Sequence, residues 1–321
     1  EHKSQNSENN LTFHYHNYDR DYHNATYLDE YDSESLVVKV DRSTKLNNKF
    51  SFGYGSEYKY DWGAFVNRGS YTASTKGHMK DFSFFANAGY KINENQILSI
   101  YGRTDDHNTT DRNQTYKLNF TQILGQFKFG ATHSTGLRNP SLYELYGSDN
   151  YGIRGNTNLN PEKSQTNELY GEYNFSETIK FTSTGYKAKV FDRIESNAAY
   201  SMHENELIDI NQEGLESELL FSGNNQNIGL YTNFSKSRKV NGQAQARRPD
   251  LSYGAKYSKK INSSIYGPFN LNLSYKHTGQ FIDYDGSKNS RQKSTDLIDL
   301  SIKKSWFGNI LSINLTNLLN E

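Results

Sequence analysis

The chain has 321 residues, and Lys+Arg and Asp+Glu balance at 36 each. With no cysteine it has neither disulfides nor thiolate metal sites, and zero formal charge without a basic patch argues against a nucleic-acid partner. Mean hydropathy is −0.90 and only 34% of residues are hydrophobic, yet 25 Tyr and 18 Phe raise the aromatic share to 14%. A disordered chain is poor in aromatics, so the chain folds while using few aliphatic residues. No apolar run approaches the length of a transmembrane helix. The opening residues, "EHKSQNSENN", carry no apolar core of a signal peptide, so any export signal is expected outside the chain.

In chain order, alternating segments recur: "KFSFGYGSEYKY" (49–60), "FSFFANAGYKI" (82–92), "NELYGEYNF" (167–175), "QNIGLYTNF" (226–234), "FNLNLSY" (269–275) and "LSINLTNLL" (311–319). Each has period two, the signature of a strand with one apolar and one wet face. Leu271, Leu273, Leu311 and Ile313 are expected on the lipid side, with Asn270, Asn272, Ser312 and Asn314 facing a lumen. A soluble sandwich also has one apolar face per sheet, so the connections must decide. Short turns are read at 46–49, 93–96, 124–126, 176–178, 223–226, 266–268 and 307–309. Long connections are read between them at 19–34, 61–81, 105–114, 137–164, 192–206, 237–249 and 282–294. Strict alternation of short and long connections marks an up-and-down outer-membrane barrel, with short periplasmic turns and long external loops. The expected fold is therefore all-β: an antiparallel up-and-down transmembrane β-barrel of roughly fifteen strands in a single domain, 1–321. Lipid then replaces a large core, and the aromatics form interfacial girdles.

One stretch stands apart, "GLRNPSLYELYGSDNYGIRGNTNLNPEKS" (136–164), with two of the chain's four prolines. It resembles a segment of the TonB-dependent outer-membrane receptors. The strand-ending motif reads Gly136, Arg138, Pro140, Glu144, Leu145, Tyr146; the motif opening the next strand reads Gly155, Asn156, Leu159, Pro161, Glu162, Ser164. Further pieces follow in the family's order at 49–61, 98–108, 211–223, 247–257 and 296–321. The resemblance implies a barrel of about 22 strands, so the chain is expected to be part of a longer receptor. The family's plug domain is missing, and the expected unpaired edges lie near 11–18 and 310–319. It also implies energy-coupled uptake of a scarce metal chelate, cobalamin or a ferric siderophore, through the TonB system and the plug. Haem receptors of the family usually carry a His between the two motifs, and none lies between Leu145 and Leu159. The alternative is a passive porin-like or adhesin-like barrel without a plug.

No nucleophile elbow, P-loop or zinc-binding His pair is present, so the chain is read as not an enzyme and without a resident cofactor. His14 and His16 are read as a water-facing strand face. Asp105, Asp106 and Asp111 lie close in sequence and are the candidate calcium ligands of an external loop, beside the blander reading of a solvated acidic loop. Tyr143, Tyr146, Tyr151 and Arg154 are the ligand-binding candidates: aromatic faces stack on planar groups and Arg pairs with anions. Girdle and loop packing is the competing reading for the tyrosines. Trp62, Tyr71 and Tyr284 are further candidates on neighbouring loops.

Overall fold

A computed structural model of the chain describes residues 2–3, 6–197, 199–285 and 288–319. In chain order the first strands are β1 (His2–Lys3), β2 (Ser7–His23), β3 (Leu28–Lys45), β4 (Phe50–Arg68), β5 (Ala73–Asn93), β6 (Gln96–His107), β7 (Asp111–Leu124) and β8 (Phe127–Arg138). The short helix α1 (Leu142–Tyr146) precedes β9 (Glu162–Asn174) and β10 (Ile179–Phe191). Then come β11 (Ile194–Ser196), β12 (His203–Asn205), β13 (Ile210–Ser222), β14 (Gln226–Lys239), β15 (Leu251–Ser263) and β16 (Gly267–Thr278). The last are β17 (Phe281–Asp285), β18 (Lys288–Gln292), β19 (Thr295–Trp306) and β20 (Asn309–Leu315). Sixteen strands form one up-and-down sheet in sequence order, from β1 to β10, then β13 to β16, then β19 and β20; β11–β12 and β17–β18 are separate two-stranded ribbons. Among the described residues no helix is long and apolar enough to cross a membrane.

All seven expected short turns fall between sheet strands. The long connections differ from expectation. Segments 19–34, 61–81 and 105–114 are ladder, not loop: β2–β3, β4–β5 and β6–β7 run on to tight turns at 24–27, 69–72 and 108–110. β2 to β5 therefore reach 17, 18, 19 and 21 residues, well beyond the 9–11 a membrane crossing needs. Segments 192–206 and 282–294 fold largely into the two small ribbons.

The chain divides into two compact units. The first holds residues 1–120, 132–166 and 189–209. Its register separates two faces. Phe13, Val38, Tyr58 and Phe82 lie directly across from one another on neighbouring strands, and Phe13, Tyr58 and Phe82 are exposed, as a lipid face is. One residue over, Thr12, Lys39, Glu57, Ser83 and Asp105 form the opposite row. There Arg103 bridges Glu57 at 2.9 Å and Asp105 at 2.6 Å, and also donates to Ser83 at 2.7 Å. The polar face is thus an ordered charge network.

The second unit holds 121–131, 167–188 and 210–321. Phe221, Ile228, Tyr257, Leu273, Leu300 and Leu315 form one cross-strand row, and Asn227, Ser258, Asn272, Ser301 and Asn314 form a row on the other face. Leu273 and Asn272 therefore fall on the two sides expected of them.

Candidate functional site

The motif-bearing segment lies in the first unit and starts from a rigid corner. Pro140 is buried and cannot continue the ladder. Ser141 then caps α1: its side chain accepts from the Glu144 backbone, while the Glu144 carboxylate accepts from the Ser141 N–H at 2.7 Å. Reciprocal capping satisfies donors that a short helix otherwise leaves open. Arg138 donates to both Glu144 oxygens, at 3.0 and 3.1 Å, and to Glu162 at 2.8 Å. One guanidinium thus ties the end of β8 to the start of β9 across the loop. Burial pushes the Glu144 carboxyl up, but the hydrogen bonds from Arg138 and Ser141 outweigh it and hold the group below its ordinary range.

Leu145 is 1% exposed and packs with Met79, Leu159 and Ile194, flanked by Leu142 and Tyr146. Burying one such side chain contributes about 1.5–3 kcal/mol. The Tyr146 ring lies where a Cβ on Gly77 would stand, and the Leu145 carbonyl lies where a Cβ on Gly155 would stand. Both glycines permit close approach of loop and strand.

A buried polar latch seats the loop tip. Asn67 donates to Asp29 at 2.7 Å and to the Ser148 carbonyl at 2.9 Å, while the Ser148 hydroxyl donates to Asn67. Asn150 donates to Asp29 at 2.6 Å and to the Leu28 carbonyl at 3.1 Å. Asp29, Asn67, Ser148 and Asn150 are all buried. Asp149 shapes the turn by accepting from the N–H of Tyr151 at 2.9 Å and of Ile153 at 3.0 Å. Its other oxygen accepts from the Tyr143 hydroxyl at 2.8 Å. Burial, and then this hydrogen bond, push the Tyr143 phenol well above its ordinary value.

The latched segment and strands β2 to β4 together line a cavity of about 650 Å³. Tyr18, Arg20 and Tyr22 line it from β2 and stand opposite Ser33, Tyr31 and Asp29 of β3. Phe65 faces Tyr31 from β4, and Tyr143 and Tyr151 come from the loop. The Tyr31, Phe65 and Tyr143 rings meet with centroids 5.8–6.0 Å apart. The Tyr151 hydroxyl meets that of Tyr27 at 2.8 Å, a bond that raises the Tyr27 phenol. Asp29 and Asp149 are already hydrogen-bonded and Asp32 stands across from Asp19, whereas Arg20 forms no ion pair among the described residues. Aromatic walls with one uncommitted guanidinium suit a planar or macrocyclic ligand bearing negative charge.

The expected site residues divide. Tyr143 and Tyr151 line the cavity. Tyr146 packs on Gly77 and holds the loop. Arg154 serves the turn: it donates to the carbonyls of Asp149 and Ile153 and lies 5.9 Å from the Tyr71 ring centroid. Tyr71, at the 69–72 turn, is thereby Arg154's partner and not a cavity wall. Trp62 is not brought to the cavity: period-two alternation places it on the face opposite Phe65 and Asn67 of β4. The backbone of Tyr284 pairs with Asn289 in the 281–292 ribbon of the second unit, and its side chain is outside the described residues. Asp105 is held by Arg103 and Ser83, and Asp106 pairs with Arg112 at 3.0 Å. Successive strand residues face opposite ways, so Asp105 and Asp106 do not converge. Among the described residues no group of three His, Cys, Asp or Glu side chains forms a metal cage. Tyr18, Arg20, Tyr22, Tyr31 and Phe65 were not anticipated. For Tyr18, Arg20 and Tyr22 the available signal was their i, i+2, i+4 spacing, which one strand, β2, puts on one face.

A family model described as "TonB dependent receptor-like, beta-barrel" matches residues 2–318. The vitamin B12 transporter BtuB of Vibrio cholerae serotype O1 is 24% identical over 234 residues, covering 70% of this chain and 36% of that protein. The siderophore receptor PirA from Acinetobacter baumannii superposes with a TM-score of 0.76 at 15% identity, over 93% of this chain and 52% of that one. The ferric yersiniabactin uptake receptor FyuA from Yersinia pestis gives 0.77 at 14% identity, over 99% and 55%. At these identities the two structural likenesses carry the fold alone. The chain thus spans about half of these structures and a smaller share, 36%, of the curated relative.

Proposed function

We propose that this chain, which belongs to the TonB-dependent receptor-like β-barrel family, supplies the ligand-capturing barrel wall of an outer-membrane receptor. Its strands belong in the outer membrane, with the hairpins at 24–27 and 69–72 and the segment 139–161 on one edge of the first unit. The ligand is a scarce metal chelate, cobalamin or a ferric siderophore, taken up by coupling to TonB. The names of the relatives support both ligand classes.

One observation carries the reading: the Tyr- and Phe-walled cavity of about 650 Å³ lined in part by a latched loop. Its volume falls within the roughly 300–1,000 Å³ of ordinary ligand pockets. The latch makes the site preformed, which spares the ligand the cost of ordering a loop. No chemistry on the ligand is assigned: of the acidic residues at the cavity, Asp29 and Asp149 already serve as structural acceptors and Asp32 stands across from Asp19.

The test is uptake by cells carrying the full-length receptor in place of their own. Radiolabelled cobalamin and a radiolabelled ferric siderophore are supplied in turn, with and without TonB. TonB-dependent accumulation of one of them is expected. Accumulation of neither, or accumulation independent of TonB, would overturn the reading.

A further inference from the structure

The outward face of β5 divides sharply along its length. From Phe82 to Ile92 the outward residues are Phe82, Phe84, Ala86, Ala88, Tyr90 and Ile92. Ten strand steps at the usual barrel tilt cover about 25 Å of height, the apolar band of an outer membrane. The next three outward residues toward the 69–72 turn are Lys80, His78 and Lys76, all exposed. They stand about 7 Å apart in a column, directly above the apolar band. Neither lysine forms an ion pair among the described residues.

Aromatic side chains stand beside the column. On β4, Tyr60 lies across from Lys80 and Trp62 across from His78. The Tyr60 and His78 rings are stacked, with centroids 6.0 Å apart. Amphipathic rings settle at headgroup level. The nearest acids on this face are Glu34, across from Trp62, Asp32, across from Ala64 in the row of Lys76, and Asp106, across from Phe82 and already paired with Arg112. Farther along, the same face carries Asp19 and Asp21 on β2 and Glu30 on β3, where Glu30 pairs with Arg68. The positive column is therefore local, which a general surface bias does not explain.

We infer that Lys76, His78 and Lys80, with Tyr60 and Trp62, form a docking site for the phosphorylated sugar headgroup of an outer-leaflet glycolipid. Ammonium groups bind phosphate as compact charges, and the adjacent ring faces offer an apolar wall to a sugar. The position at the edge of the apolar band admits a lipid headgroup whose acyl chains lie along Phe82 and Phe84. This site is on the opposite face of β4 and β5 from the cavity, so it is separate from ligand capture.

The full-length receptor in detergent is incubated with diphosphoryl lipid A, its dephosphorylated counterpart or phosphatidylethanolamine, and bound lipid is counted by native mass spectrometry. The unaltered receptor is expected to retain diphosphoryl lipid A at least tenfold better than the dephosphorylated form. Lys76→Gln with Lys80→Gln should remove that preference, Lys76→Arg with Lys80→Arg should keep it, and phosphatidylethanolamine retention should not change. Heat-modifiable mobility reports that each variant has folded. Equal retention of the two lipid A forms by the unaltered receptor would overturn the inference without any variant. So would an undiminished preference in the folded glutamine variant.

Discussion

Asn67 donates its side-chain amide to Asp29 at 2.7 Å, and both residues are buried. The same amide reaches the carbonyl of Ser148, 81 positions along the chain. A bond between neighbouring strands β3 and β4 thus also fixes the loop, so the loop side of the cavity is held by the barrel strands.

Removing the side chain tests that coupling. Asn67→Ala strips partners from Asp29 and Ser148, and each buried group left unsatisfied costs about 1–3 kcal/mol. In the full receptor, amide exchange of 147–156 should accelerate markedly, while peptides in the membrane-facing part of β4 keep their protection. Unchanged exchange in 147–156 would mean the latch does not hold the loop.

The Arg138–Glu144 pair should make the loop pH-sensitive. Glu144 has a folded-state pKa below its ordinary value. Its contribution is therefore fully present above about pH 4.3, the unperturbed value, and is lost as pH falls through the lower folded value. Protection of amides 142–146 should fall in that acid window, and Glu144→Gln should flatten the response. Separately, Ser141→Ala should cost about 1 kcal/mol of local stability through the lost cap. A Glu144→Gln receptor with the unaltered pH response would assign the effect elsewhere.

Gly155 gives a steric prediction. A Cβ there meets the Leu145 carbonyl, which is backbone and cannot swing aside. Gly155→Ala should displace the helix end and weaken ligand capture, while surface expression stays normal because the sheet ladder is untouched. At Gly77 the obstacle is the Tyr146 ring, a side chain, so Gly77→Ala should be milder. A Gly77→Ala defect larger than that of Gly155→Ala would contradict this ordering.

Much of the fold was legible, and the misreadings have one physical cause. Inside the membrane one face meets lipid and the other water, so "FNLNLSY" announces its strand by alternation. Beyond the membrane both faces are wet. There β2 carries Asp19 and Asp21 on one side and Tyr18, Arg20 and Tyr22 on the other, and the apolar period disappears although the ladder continues. Segments 19–34 and 61–81 therefore read as loops. That error hid Tyr31 and Phe65 and misplaced Trp62. The motif at 136–164 was visible because Pro140, Gly155 and the Arg138–Glu144–Glu162 set are close in sequence. The latch was not, because Asp29 and Asn150 are 121 positions apart.

Arg154 separates the loop tip from the cavity. Its guanidinium is committed to loop carbonyls and Tyr71, so Arg154→Ala should speed amide exchange at 149–154. Its effect on ligand affinity should be smaller than that of Arg20→Ala. An affinity loss at Arg154 exceeding that at Arg20 would return the site to the loop tip.

The most direct measurement is equilibrium binding of cobalamin and of a ferric siderophore to the purified full-length receptor, comparing the unaltered protein with Arg20→Ala/Tyr31→Ala. Loss of a cation and an aromatic wall from the centre of a site weakens binding by about 1–3 kcal/mol, roughly five- to 150-fold in Kd. That loss is expected for the ligand the receptor takes up, with normal heat-modifiable folding. Unchanged affinity in the folded double variant would contradict the assignment of the cavity as the ligand site.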